Sequence, residues 1–337
     1  MERILWIRSI IKTMEKINST LQLNNKGIKK KKTNWKRGIF LTCLLALSVS
    51  HFLIFWVYMN FETVRLTFFE YNMYNELEFI AFERYIEIFE DFFIKENNQA
   101  NLNIFFNTFR AIIINIIIFP LALYTAYAFY KKVYGEKFFR VIFYLPSVIS
   151  LVALTMAYRS MFDGNIGGPI AELFSIFGVN TKVWLDVGLP ENTQIWTLIY
   201  VFSILMGLGT NVILMSGAML RIPQDIPEAL QIDGCSYFRE MFSITIPLIM
   251  PTITTWAIAI FTSVFGFMLQ PMLIAVSPGY ENKAMTLPWL MFNMVQSQGK
   301  ENLLTAATLG IMFSVFMLPF TLGVRFLLEK FTPDVDF

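Results

Sequence analysis

The chain has 337 residues, of which 55% are hydrophobic and only 15% charged, with a formal net charge of +2 and a mean hydropathy of +0.54. This composition excludes an ordinary soluble domain and a charged disordered chain, and reads as an integral membrane protein. One histidine and two separated cysteines argue against a histidine or thiolate metal site and against a Cys–His nucleophile pair.

At the N-terminus, Ile4, Ile7, Ile11, Met14, Ile17 and Leu21 recur at helical spacing, with Arg3, Arg8, Lys12 and Lys16 between them. The pattern fits either an amphipathic helix on the inner membrane surface or a basic tail that only fixes orientation. A Lys-rich polar linker follows from Asn24 to Asn34.

Crossing the hydrocarbon layer takes about 20 mainly apolar residues. Six segments meet that need: Gly38 to Met59, Ile104 to Tyr130, Phe138 to Phe162, Gln194 to Leu220, Ile246 to Val276 and Leu303 to Leu328. The first is too long for a signal-peptide core and has no small-residue cleavage site, so it is expected to be retained. His51, within it, has no acidic neighbour at helical spacing and is expected to be buried and structural. Basic flanks stay in the cytoplasm. Lys26 to Arg37 carries seven basic residues and no acid, the stretch after the first span carries nine acids against three bases, and Lys131, Lys132, Lys137 and Arg140 crowd the next loop. Both termini are therefore expected on the cytoplasmic side. Cys43, in a span, and Cys235, in a cytoplasmic loop, then lie at different levels, where they are not expected to form a disulfide.

The external stretch 61–103 is rich in aromatics and acids, and is expected to fold as one or two helices over the outer mouth. Gly164 to Pro169 breaks the chain after the third span, with a short amphipathic helix expected up to Phe177, and Ser277-Pro278-Gly279 closes the fifth. Asn115, Asn211, Gln270 and Arg159 lie within spans, with hydroxyl residues such as Thr155 and Thr262. Polar groups in hydrocarbon turn toward a partner helix or a watered path, so each of the four is a candidate for lining a solute pathway, with interhelical hydrogen bonding as the alternative. For Arg159 snorkelling is a further alternative.

Between the fourth and fifth spans runs Glu228-Ala229-Leu230-Gln231-Ile232-Asp233-Gly234-Cys235, continuing through Arg239, Phe242, Ile244, Pro247 and Pro251. Pro223 and Pro227 suit a first helical turn, and Asp225 and Glu228 favour its positive end. Gly234 then permits a reversal, so the spacing predicts two short helices bent at Asp233-Gly234.

This segment closely resembles the EAA loop of ATP-binding-cassette importer permeases: Glu228, Ala229, Asp233, Gly234, Phe242, Ile244, Pro247 and Pro251 fall on its pattern, and Leu230 and Cys235 replace two alanines. Leu220 to Pro223 resembles the family's approach to that loop. Phe138-Phe139-Arg140 with Tyr144-Leu145-Pro146-Ser147 resembles the third-span entry of its sugar-importing, maltose-transporter-like branch. The resemblance covers roughly residues 104 to 328 and implies an all-α integral membrane fold of the six-helix, type I importer kind with a cytoplasmic coupling helix. The implied layout is a basic N-terminal segment (1–37), a first transmembrane helix with its external loop (38–103), a five-helix permease core (104–328) with the coupling loop at about 221–247, and a cytoplasmic tail (329–337). It further implies a second permease, two ATPase subunits, an extracytoplasmic solute-binding protein, and a sugar or oligosaccharide as cargo. Coupling to the ATPase is expected through Glu228, Ala229, Asp233, Gly234 and Arg239, with capping and solvation as the alternative role of the charges.

The chain has no G-x-x-x-x-G-K-[ST] phosphate loop, so ATP and Mg are expected on partner subunits, with no cofactor in this chain and no enzymatic activity of its own. An ion-gradient-driven secondary transporter or channel subunit is the alternative; it calls for intramembrane carboxylates or paired unwound half-helices, and the spans contain essentially no Asp or Glu. A membrane-bound enzyme lacks any convergent acid, base or metal set.

Overall fold

The computed structural model describes residues 35–95, 98–179, 184–186, 188, 194–223 and 225–331. The amphipathic stretch from Ile4 to Leu21, its linker, and nearly all of the C-terminal tail lie outside them. The chain divides into two compact units, residues 1–62 and 63–337.

In the first unit a helix begins at Trp35 and runs as α1 (Trp35–His51), a π-helical stretch Phe52–Tyr58 and the start of α2 (Met59–Leu66). The wider π turn sits in a run of bulky side chains, and the Phe52 and Trp56 rings stack at 5.1 Å. His51 is exposed and lies against Phe55 at 4.8 Å, not buried as its position within an apolar span suggested.

The second unit opens with a small cap. Its first element is a short hairpin beside the helices expected for this stretch: β1 (Phe69–Tyr71) pairs antiparallel with β2 (Leu77–Phe79), Phe69 opposite Phe79. The turn is built by Asn72, whose Oδ1 accepts from the amides of Tyr74 and Glu76 at 3.0 Å, and by Asn75 in the left-handed region at φ 66°. Asparagine is favoured in both roles. Strands of three residues are too short for alternation to be read from sequence. Helix α3 (Glu83–Phe93) follows and sends Arg84, Ile88 and Phe92 inward.

Four helices among the described residues are long and apolar enough to cross a membrane: Gly38–Leu66, α4 (Gln99–Tyr130), α8 (Gln194–Met219) and α14 (Lys300–Phe331). Two bent pairs complete six spans. The predicted span Phe138 to Phe162 is not one rod: α5 (Glu136–Val148) and α6 (Leu151–Phe162) meet at 102°. Pro146 removes a helical donor and Ile149 leaves the helix in an extended conformation. Between them and α8 stands α7 (Pro169–Ile176), the short helix expected after the Gly-rich break. The coupling loop contributes α9 (Asp225–Ile232).

The segment Ile246 to Val276 is broken further. Here α10 (Tyr237–Leu248) and α11 (Met250–Gly266) bend by 76° at Ile249, between Pro247 and Pro251, and a second break at Phe267-Met268 separates α12 (Leu269–Ala275). Helix α13 (Leu287–Gln296) carries no counterpart in the sequence reading.

The core lies between α4 and α8, where Ile114, Ile118, Ala122, Ile199, Phe202 and Met215 are buried. Gly209 makes room for the approach of α5, since a Cβ there would collide with the Phe143 carbonyl. The loop before α13 is tied in by polar groups of α4: Asn107 donates to the carbonyls of Lys283 and Met285 at 2.8 and 3.0 Å, and Thr108 Oγ1 accepts from the Leu287 amide at 2.8 Å.

The cap is clamped onto the start of α14. Buried Arg84 reaches Glu301 at 2.7 Å and the Phe69 carbonyl at 2.8 Å, while the other Glu301 oxygen accepts from the Tyr71 amide. Removing Arg84 takes a donor from the Phe69 carbonyl and the hairpin's charged tie to half-exposed Glu301. Arg84→Ala is therefore expected to loosen the hairpin by on the order of 2 kcal/mol. Hydrogen exchange at the amides of residues 69–79 checks this: faster exchange there with α4 and α8 unchanged is the expected result.

Candidate functional site

Two places in the second unit combine chemistry-bearing residues: the turn between α9 and α10, and a cavity among α4, α8 and the broken spans.

At the turn, α9 has Asp225 and Glu228 at its positive end, favourable for the helix dipole. It ends with the Cys235 amide donating to the Leu230 carbonyl at 3.0 Å, a bond that closes over Gly234 at φ 67°. That closure is the Schellman arrangement, and it needs the left-handed residue that glycine supplies. The two short helices bent at Asp233-Gly234 are thus present as the spacing predicts. Glu228, Ala229, Asp233 and Arg239 are exposed, and among the described residues Glu228, Asp233 and Arg239 form no ion pair. Apolar Ile232, Phe238 and Phe242 are exposed beside them, at 87%, 61% and 61%. Ile232 and Phe238 escaped the sequence reading, because an apolar residue in a short helix is ordinarily taken for a core contact.

The cavity measures about 480 Å³. Its wall is formed by Ala111, Ile114, Asn115 and Ile118 of α4, by Ser203, Met206, Gly207 and Thr210 of α8, and by residues on both sides of the two breaks, including Ser147, Ile149, Ser263, Phe267 and Gln270. Non-helical backbone is tolerated at membrane depth where it faces such a space. Ser203 Oγ and Gln270 Oε1 are buried without a hydrogen-bond partner among the described residues. Unsatisfied buried oxygens of this kind are costly, and a neutral ligand that donates hydrogen bonds relieves them. Among the described residues no Asp or Glu is in the wall.

The four polar span residues divide. Asn115 lines the cavity, with its amide donating to Ser263 Oγ at 3.1 Å and the Ala111 carbonyl at 2.9 Å, and Gln270 lines it as well. Asn211 is not in the wall: it donates to the Gly207 carbonyl at 2.8 Å and accepts from Trp256 Nε1 at 2.5 Å, tying α8 to α11. Arg159 is likewise outside the wall, with Nε donating to the Ile274 carbonyl at 3.1 Å, which ties α6 to α12. For these two the geometry is that of the interhelical alternative. Ser203 and Thr210 were missed, since hydroxyls are common in spans and their spacing alone does not separate a wall from a helix contact.

Residues 118–336 match the family of binding-protein-dependent transport system inner membrane components, which covers the coupling turn and most of the cavity. The chain belongs to that family. It is a membrane-spanning permease component of a binding-protein-dependent transport system. A probable ABC transporter permease protein of Mycoplasma genitalium is 29% identical over 66% of this chain and 67% of its own length. A diacetylchitobiose uptake system permease of Streptomyces coelicolor is 23% identical over 76% of this chain and 72% of its own. A bacterial ABC transporter involved in import of the acidic polysaccharide alginate has the same fold, with a TM-score of 0.73 over 90% of this chain and 100% of the solved one at 19% identity.

The turn and the cavity give separable expectations for this permease. Gly234→Val places a β-branched residue in the left-handed region, costing on the order of 1–2 kcal/mol at the bend. No neighbour lies within 4 Å of the added Cβ, so membrane insertion and yield should persist while ATPase association and transport are lost, as pull-down and uptake assays would read. At the cavity, Asn115→Leu and Gln270→Leu should impair uptake per assembled complex, with basal ATP hydrolysis retained. Asn211→Leu strands the Trp256 indole donor and should lower thermal stability by about 1–3 kcal/mol, leaving uptake per assembled complex unchanged.

Proposed function

We propose that this permease is one membrane half of an ATP-driven importer for a neutral sugar or oligosaccharide, with both termini in the cytoplasm. It pairs with a second permease, stands on two ATPase subunits that bind ATP and Mg, and takes solute from an extracytoplasmic binding protein. The observation that carries the reading is the turn at Gly234: a capped helix, α9, displays Glu228, Ala229, Ile232 and Asp233 outward, followed by exposed Arg239. Exposed charges and apolar groups that find no partner among the described residues suit insertion into a cleft on another subunit.

Closure of the ATPase dimer would then move α9 as a rigid lever and swing the spans between inward-facing and outward-facing states. The cavity supports the sugar assignment. Its amides and hydroxyls both donate and accept, as sugar hydroxyls do, and its wall has no carboxylate for ion coupling. Relatives named for diacetylchitobiose uptake and for transport of starch degradation products point the same way.

Extraction with tagged protein should recover an ATPase subunit and a second permease, and proteoliposomes holding the complex should take up a labelled oligosaccharide only with ATP inside and binding protein outside. Solute uptake by the chain alone, driven by an imposed proton or sodium gradient, would instead establish the secondary-transporter reading.

A further inference from the structure

The coupling segment is fastened to α4 at a second point, away from the chain connection. Glu240, in the first turn of α10, is only 4% exposed, and its carboxylate lies 2.6 Å from Nζ of Lys131, the residue that caps the C-terminal end of α4. The Lys131 side chain is itself 18% exposed, and its ammonium lies 6.0 Å from the centre of the Tyr127 ring. Tyr127, fully buried, meets the Tyr237 ring edge-on at 4.6 Å and donates its hydroxyl to the Tyr237 carbonyl at 3.3 Å. Tyr127 of α4 and its capping residue Lys131 thus grip two residues of α10.

The same helix α4 supplies Ala111, Ile114, Asn115 and Ile118 to the cavity wall. From Asn115 to Lys131 the helix runs about 24 Å. A buried ion pair resists separation, because either charge left alone in that setting carries a large desolvation cost. When the coupling segment is displaced, the pair therefore holds and α4 follows. The exposed charges of the turn have no such link, and can exchange partners with another subunit.

We propose that the Lys131–Glu240 ion pair, seated on the Tyr127–Tyr237 contact, is the joint that carries displacement of the coupling segment into α4 and so to the cavity. Lys131 and Glu240 are positioning residues for transport and touch neither nucleotide nor solute. The inference rests on the importer reading above.

The test uses the assembled complex in proteoliposomes and reads solute taken up per ATP hydrolysed, with wild-type complex measured first. Absence of ATP-driven uptake in wild type overturns the importer reading itself. Given a coupled wild type, the informative variant is Lys131→Met with Glu240→Gln, which leaves no unpaired buried charge and should assemble normally. Its uptake per ATP is expected to fall at least about fivefold, the scale of a coupling free energy between sites, while ATP hydrolysis continues. The reversed pair, Lys131→Glu with Glu240→Lys, restores the attraction and should recover most of the lost coupling. Wild-type uptake per ATP in the doubly neutral complex overturns the proposal and leaves the pair a structural tie. A reversed pair that assembles but stays uncoupled overturns it too.

Discussion

The constraint on which the rest of this structure depends is that a peptide group in hydrocarbon must find its hydrogen bond within the protein. Long uninterrupted helices meet it trivially, as α4, α8 and α14 do. A chain that breaks its helices inside the membrane meets it only where a cavity or another segment receives the freed groups. Both broken spans obey this rule: Ile149 at one break and Phe267 at another stand in the cavity wall, and the Phe267 carbonyl accepts from Thr286 Oγ1 at 2.9 Å. The breaks at Ile149 and Phe267 thus border the cavity, whereas the bend at Ile249 lies outside its wall.

That constraint also explains which parts of the fold were legible in the sequence. Apolar runs near 20 residues located all six spans, because burial in lipid is a property of composition and length. Direction within a span is not. Pro146 stood in plain view, yet proline is tolerated in membrane helices, and α4 and α14 carry Pro120 and Pro319 without breaking. Whether a proline bends or snaps a helix is decided by what faces the freed carbonyl, and that is a tertiary fact. The hairpin over 69–79 failed for a different reason. Its strands are three residues each, and what holds it is Glu301, more than 200 positions away in the chain.

The candidate sites divide along the same line. The coupling turn was readable because its determinants are local: an acidic first turn, a glycine at the reversal, and spacing that fixes both. The cavity was half readable. An asparagine in a span announces an interior partner but does not name it, and Asn115 and Asn211 look alike in sequence. Only packing separates them, since Asn115 meets Ser263 at the cavity while Asn211 is held by the Trp256 indole. Asn107 and Thr108, which anchor the loop before α13, fall in the same class of polar span residues whose partners lie far along the chain.

The distribution of charge gives the two sites a common logic. At the turn, Glu228, Asp233 and Arg239 stand exposed where water meets their hydration need until a partner replaces it, so keeping them unpaired costs little. Just beyond, Glu240 and Lys131 are withdrawn from water, and there pairing is obligatory. In the cavity, polarity persists without charge among the described residues, in the form of amides and hydroxyls that take part in hydrogen bonds. Exposed charge, buried pair and neutral cavity therefore follow one another from the turn toward the interior of the helical bundle, each in the form that its surroundings allow at least cost. The helix α4 lines the cavity wall and leads directly into Lys131 of the pair, so one helix joins the two regions.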